Sequence, residues 1–126
     1  MIVGIGVDIV MIERIEKIFN EYGRKFLKKI LGSDELNHVQ KIYNRKLKIQ
    51  KIATRFAAKE AIIKALPIQK KIGYSQFQIK NLDDGRPHVK IEKNLREKLS
   101  KSNINQFHIS LSHEEKYAIA FVTISS

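Results

Sequence analysis

Apolar residues recur along this chain with two different periods, and the switches between them predict its elements. Ile2 to Val10 is an apolar run broken by Gly4, Gly6 and Asp8, which predicts a buried strand whose glycines admit close backbone approach. From Met11 the spacing turns helical, with Ile12, Ile15 and Phe19 on one side and Glu13, Arg14, Glu16 and Lys17 on the others, so a first helix runs to about Tyr22-Gly23. Arg24 to Lys29 is a basic cluster around Phe26 and Leu27. In Gly32-Ser33-Asp34-Glu35 the serine can cap a new helix, and the two acids suit its positive end. The stretch from about Leu47 through Leu66 predicts a long central helix ended by Pro67, followed by a lysine-containing loop from Ile68 to Gly73.

Phe77 and Ile79, then Val89 and Ile91, alternate with polar residues on either side of Asp83-Asp84-Gly85-Arg86-Pro87, which predicts a hairpin. Asn94 to Ser100 reads as a short polar helix. Phe107, Ile109 and Leu111 alternate toward Ser112-His113, and beyond Glu114-Glu115-Lys116 the apolar run Tyr117 to Ile124 completes a second hairpin. Segregated hairpins and helices predict an α+β fold of antiparallel hairpins packed with a long central helix.

Length and apolar content, 126 residues and 43%, predict a single domain over residues 1–126. The chain has neither a run of about eighteen apolar residues nor a basic, cleavable leader, so a soluble cytoplasmic protein without membrane contact is expected. The absence of cysteine excludes disulfides, thiolate metal sites and cysteine nucleophiles. Any metal must then be held by oxygen or imidazole, which favours a hard cation such as magnesium. The balance of 24 basic against 13 acidic residues, formally +11, attracts nucleic acid, phosphorylated ligands or an acidic protein. Charge alone does not choose among these, because eighteen lysines beside twenty isoleucines also fit a genome-wide codon bias.

Several short strings carry candidate chemistry. Gly4-Ile5-Gly6 fails as a dinucleotide fingerprint, since isoleucine stands at position 9 where a third glycine is required. On the central helix, Ile52, Phe56, Ile63 and Leu66 share an apolar arc, and Ala53, Ala57, Glu60 and Lys64 form a neighbouring stripe of small and charged residues. Glu60 and Lys64 either make a surface ion pair of roughly 0.3–0.5 kcal/mol or serve something that the alanines allow to come close. Asp8 within an apolar strand requires a partner: the start of the first helix, a core arginine, or a cation. Ser112 and His113, neighbours on a strand, point to opposite faces and do not form a nucleophile–base dyad, and a histidine at a turn has an ordinary structural reading. Gly85-Arg86-Pro87 by itself is a hairpin turn with a solvated arginine.

Taken in order, Gly4-Ile5-Gly6-Val7-Asp8-Ile9, Arg55-Phe56-Ala57-Ala58-Lys59-Glu60-Ala61, Lys64-Ala65-Leu66, Gly85-Arg86-Pro87 and Leu111-Ser112-His113-Glu114 closely resemble the holo-acyl-carrier-protein synthases, the short class of phosphopantetheinyl transferases. The resemblance runs nearly end to end and implies the 4'-phosphopantetheinyl transferase-like fold. Pro67, where many members continue into glycine, and Lys70-Lys71 after it depart from the pattern in one loop.

Such enzymes move the phosphopantetheine arm of coenzyme A onto a serine of acyl carrier protein and release adenosine 3',5'-bisphosphate. The resemblance implies Asp8 and Glu60 as ligands of Mg2+, and Glu60, Lys64 and His113 as catalytic residues. It implies that Arg55, Lys64, Gly85, Arg86, Pro87, Ser112 and His113 bind coenzyme A, Arg86 near the 3'-phosphate. The base that deprotonates the serine is Glu60 itself or a metal-bound water. Arg14, Arg24, Lys25, Lys28 and Lys29 match the region that docks the acidic acyl carrier protein, the alternative being a solvated basic face. The family is typically trimeric, with sites between subunits, so a homotrimer is expected. Two rival readings are a basic nucleic-acid-binding module, suggested by Tyr43, Arg45, Lys46 and Lys48 before the central helix, and an inactive subunit that keeps the fold for assembly.

Overall fold

The structure, a computed structural model, describes residues 1–67 and 72–126. The chain runs β1 (Ile2–Met11), α1 (Ile12–Tyr22), α2 (Arg24–Ile30), α3 (Ser33–Gln40), α4 (Arg45–Ala65), β2 (Phe77–Asn81), β3 (Pro87–Ile91), α5 (Lys93–Lys101), β4 (Gln106–His113) and β5 (Tyr117–Ser125), with a short 3-10 turn at Tyr74–Gln76 before β2. The fold is α+β, as the patterning predicts. Strand β5 lies between β1 and β4 in a three-stranded antiparallel sheet, and β2 pairs with β3 in a separate hairpin. Phe77 and Phe107 join the two sheets, their rings 5.9 Å apart and tilted at 55°.

Helix α4 crosses one face of the larger sheet. Ala118, Ala120, Val122 and Ile124 of β5 point into that contact and are buried. Side chains from β1 are nearly absent there: a Cβ on Gly4 or Gly6 would overlap the carbonyl oxygen of Ala65 or Ala61. Ala53 and Ala57 of the predicted stripe are buried, but the closest approach falls at Ala61 and Ala65, outside that stripe. In this chain the neighbour is the sheet.

Several expectations need correction. Strand β1 is buried on one face only. Ile5, Val7, Ile9 and Met11 point to the other side, where they pair with Thr123, Phe121, Ile119 and Tyr117 and stay exposed, because a helix covers just one face of this sheet. Ile63 drops out of the apolar arc, being 36% exposed while Ile62 beside it is buried. The reason is that α4 is enclosed on several sides, so no single arc defines its inward face.

Ser33 is the first helical residue and not the cap; Gly32 holds the cap position. The open N–H groups at that end are met instead by two side chains, one buried on the helix itself and one from β2. Glu35 Oε1 accepts from Gly32 N at 3.0 Å, and Gln78 Oε1, reaching across from β2, accepts from Asp34 N and Glu35 N at 2.9 and 3.3 Å. The basic cluster after Gly23 forms a short helix of its own, α2, with Phe26, Leu27 and Ile30 inward. Pro67 ends α4 as expected, with Leu66 extended at φ −73°, ψ 123°. Most of the predicted lysine-containing loop, residues 68–71, lies outside the described residues.

Candidate functional site

Asp8 sits on the α4-facing side of β1, opposite Ala120 in the register. Lys64 Nζ donates to its Oδ1 at 3.0 Å and to the Val7 carbonyl oxygen at 3.1 Å. The Asp8 side chain is 16% exposed and that of Lys64 54%, so the pair stands at the rim and not in the core. Two of the three expected partners of Asp8 do not occur: Met11 caps α1 without a side-chain hydrogen bond, and the basic partner is a lysine, not an arginine.

Glu60 stands one turn before Lys64, yet the surface pair between them does not form. Glu60 Oε1 instead accepts from the hydroxyl of Tyr74 at 2.9 Å. Burial pushes the Tyr74 phenol up to about 12, helped by the hydrogen bond to Glu60 and by the negative charges of Glu60 and Asp8. Lys64, one turn on from Glu60, ties that end of α4 to Asp8 of β1, and so the corner brings Asp8, Glu60, Lys64 and Tyr74 into one neighbourhood. These are oxygen donors from two chain-distant carboxylates, with no third His, Asp or Glu clustered beside them among the described residues. That donor set fits magnesium, which is commonly held by one or two carboxylates and completes its shell with water and substrate phosphate.

A second cluster surrounds Arg55. Its side chain is buried; Nη2 donates weakly to the Ile79 carbonyl oxygen at 3.5 Å, and Nε has no partner among the described residues. Burial pushes the guanidinium down, with Glu35 opposing. Arg55 opens onto a cavity of about 190 Å³ that also gathers Lys51, Gly85, Pro87 and His113. Lys51 is pushed down by burial and then by the charge of Arg55. Two cations share this cavity, and no carboxylate is among its described lining residues, so it suits an anion.

The structure does not bring every candidate to these places. Arg86 is turned aside: its side chain pairs with Asp84 at 2.7 Å, on the outside of the turn where Gly85 has φ 87°. Ser112 lies opposite Ile119, on the sheet face away from α4, whereas Leu111 and His113 line the Arg55 cavity. Arg14 is exposed on α1, and Arg24, Lys25, Lys28 and Lys29 are exposed on α2. Lys25 and Lys29 rim a groove of about 450 Å³ whose walls include Ile18, Phe26, Phe56 and Tyr74.

Sequence reasoning missed Tyr74, Lys51 and the pair behind Lys59. Lys59, fully buried, donates to Glu35 Oε1 at 2.6 Å, to the Tyr74 carbonyl oxygen at 3.0 Å and to the Phe77 carbonyl oxygen. Burial pushes its ammonium down and Glu35 offsets part of that. Glu35 is completed by Gly32 N on Oε1 and by Ile79 N at 2.9 Å on Oε2.

Comparison with known proteins bears on the chain as a whole. Residues 4–122 match the family model described as the 4'-phosphopantetheinyl transferase superfamily. The holo-[acyl-carrier-protein] synthases of Wigglesworthia glossinidia brevipalpis and Thermodesulfovibrio yellowstonii are 42% and 41% identical to this chain. The first match covers 96% of this chain and 90% of the relative, the second 99% and 100%. The crystal structure of the Neisseria meningitidis holo-[acyl-carrier-protein] synthase superposes with a TM-score of 0.91 at 31% identity over 100% of both chains. That of the Helicobacter pylori enzyme, in complex with coenzyme A, gives 0.81 at 35% identity over 96% of this chain and 99% of the other. A nucleic-acid-binding module finds no support among these relatives. With a family match over nearly its whole length and the same fold in solved relatives, this chain belongs to the 4'-phosphopantetheinyl transferase superfamily.

Proposed function

We propose that this chain, as a single domain over residues 1–126, is a cytoplasmic, magnesium-dependent holo-acyl-carrier-protein synthase of fatty acid biosynthesis. It transfers the 4'-phosphopantetheine arm of coenzyme A to a serine hydroxyl of apo acyl carrier protein and releases adenosine 3',5'-bisphosphate. The observation that carries this reading is the tie from Lys64, one turn after Glu60 on α4, to Asp8 on β1, with Glu60 itself held by Tyr74.

In the reaction the serine oxygen bonds to the phosphorus that carries the pantetheine arm, and the bond from that phosphorus to the departing adenosine bisphosphate breaks. Asp8 and Glu60 would hold Mg2+, which supplies neutralisation of charge on the pyrophosphate. Lys64 offers a half-exposed ammonium at the same corner to stabilise charge on the leaving group. Glu60 serves the deprotonation of the serine, since among the described residues only its Oε1 is engaged. Arg55 and His113, with Lys51, provide a cationic seat for a phosphate of coenzyme A, bordered by Gly85 and Pro87. Arg86 and Ser112 join coenzyme A from outside that seat, Arg86 once it leaves Asp84.

The uncovered face of the three-stranded sheet supports a homotrimer with sites between subunits. It presents Ile5, Val7, Ile9, Tyr117, Ile119 and Phe121 as one apolar patch. The basic residues of α1 and α2 suit an acidic carrier protein. Incubation with apo acyl carrier protein, coenzyme A and Mg2+ is expected to add one phosphopantetheine mass to the carrier. An unchanged carrier mass would reject the activity and leave a subunit that keeps the fold alone.

A further inference from the structure

Among the described residues, the Tyr74 hydroxyl is the one hydrogen-bond partner of the Glu60 carboxylate. Tyr74 is itself held twice more. Its carbonyl oxygen accepts from Lys59 Nζ at 3.0 Å, and its ring packs on Phe56 at 6.2 Å, which in turn packs on Phe26 at 6.3 Å. Adjacent residues of α4 thus grip the two ends of one tyrosine: Lys59 takes the backbone and Glu60 the hydroxyl. Lys59 is fixed in turn by Glu35 inside the core, where no side-chain freedom remains.

The core does not need that hydroxyl. A phenylalanine ring would pack on Phe56 and line the groove equally well, so the oxygen at position 74 has only the carboxylate to serve. We propose that Tyr74 is a positioning residue of the transfer reaction, its hydroxyl holding Glu60 by Oε1 so that Oε2 is presented to the cation and the incoming serine. This rests on the role given to Glu60 above. Outer hydrogen bonds of this kind fix the orientation of a ligating carboxylate, and their loss typically costs about 10- to 100-fold in metal affinity or activity.

The test is Tyr74→Phe, which deletes one oxygen and keeps the ring. Expected are an unchanged melting temperature, an unchanged KM for the apo carrier, and a kcat lower by roughly 10-fold. A readout independent of turnover is calorimetric titration of Mn2+ into the protein with coenzyme A and no carrier, where the variant should bind Mn2+ weaker by a similar factor. Wild-type kcat and wild-type Mn2+ affinity in Tyr74→Phe would overturn the inference, and so would a variant that merely melts lower with both constants intact. Failure of the transferase reading is distinguishable, because the unmodified enzyme would then leave the carrier mass unchanged.

Discussion

Helix α4 carries two lysine–carboxylate pairs five residues apart, Lys59 with Glu35 and Lys64 with Asp8, built from the same groups in opposite surroundings. Lys59 and Glu35 have no side-chain exposure and every polar atom is spoken for: three acceptors surround the ammonium, and two backbone N–H groups complete the carboxylate. Such a pair has no capacity left for a ligand, and its worth is geometric, since it ties α3, α4 and the start of β2 to one point. Lys64 and Asp8 meet at the rim, with one spare donor on the ammonium and a second oxygen on the carboxylate. The difference teaches that, of these two pairs, only the one at the rim keeps hydrogen-bonding capacity for a further partner, a distinction invisible in a list of ion pairs.

The comparison breaks most violently at its buried end. Lys59→Met leaves the Glu35 carboxylate uncompensated in the core and is expected to cost about 3–5 kcal/mol of unfolding free energy, measured by urea titration. Adding Glu35→Gln should recover part of it; an equal or larger loss in the double variant would deny that the charge is what matters. At the open end the effect moves from stability to rate. Asp8→Asn and Glu60→Gln should each lower turnover roughly 100-fold or more, the equivalent of several kcal/mol of lost charge stabilisation, with melting temperatures near that of the parent. Parent-like rates in either variant would refute the two-carboxylate site. The smallest expected effect belongs to a charge outside both pairs. Arg14→Glu should raise KM for the carrier several-fold, more at low salt, without altering kcat, and an unchanged KM removes Arg14 from the docking surface.

Much of this was legible along the chain, and the limits have physical causes. The hairpin of β2 and β3, the β4–β5 hairpin and the long α4 follow from local periodicity, since a turn or a cap closes each one within its own neighbourhood. Asp8, Glu60 and Lys64 stand out because charged residues interrupt apolar segments. Glu35 as the partner of Lys59 leaves no such mark: the pair forms across 24 residues of chain, and an acid near a helix start is ordinary. Tyr74 lies 14 residues beyond Glu60 and off its helix, so no periodicity points its hydroxyl back to that carboxylate. The outward face of β1 stays hidden because its apolar residues Ile5, Val7, Ile9 and Met11 face open sheet, while the helix-facing side carries two glycines and Asp8. Pairing of β1 with β5 joins the first and last strands of the chain, a contact that neither periodicity nor turn chemistry encodes.

The missing side chains of Gly4 and Gly6 set the gauge of the site. Asp8 rides on the strand and Glu60 on the helix, and between strand and helix at that point there is only backbone touching backbone. The spacing of β1 and α4 is therefore governed by atomic radii, which cannot be repacked, and not by the fit of deformable side chains. Two hydrogen atoms, standing where any other residue would carry a carbon, keep strand and helix at one fixed separation however the surface around them drifts.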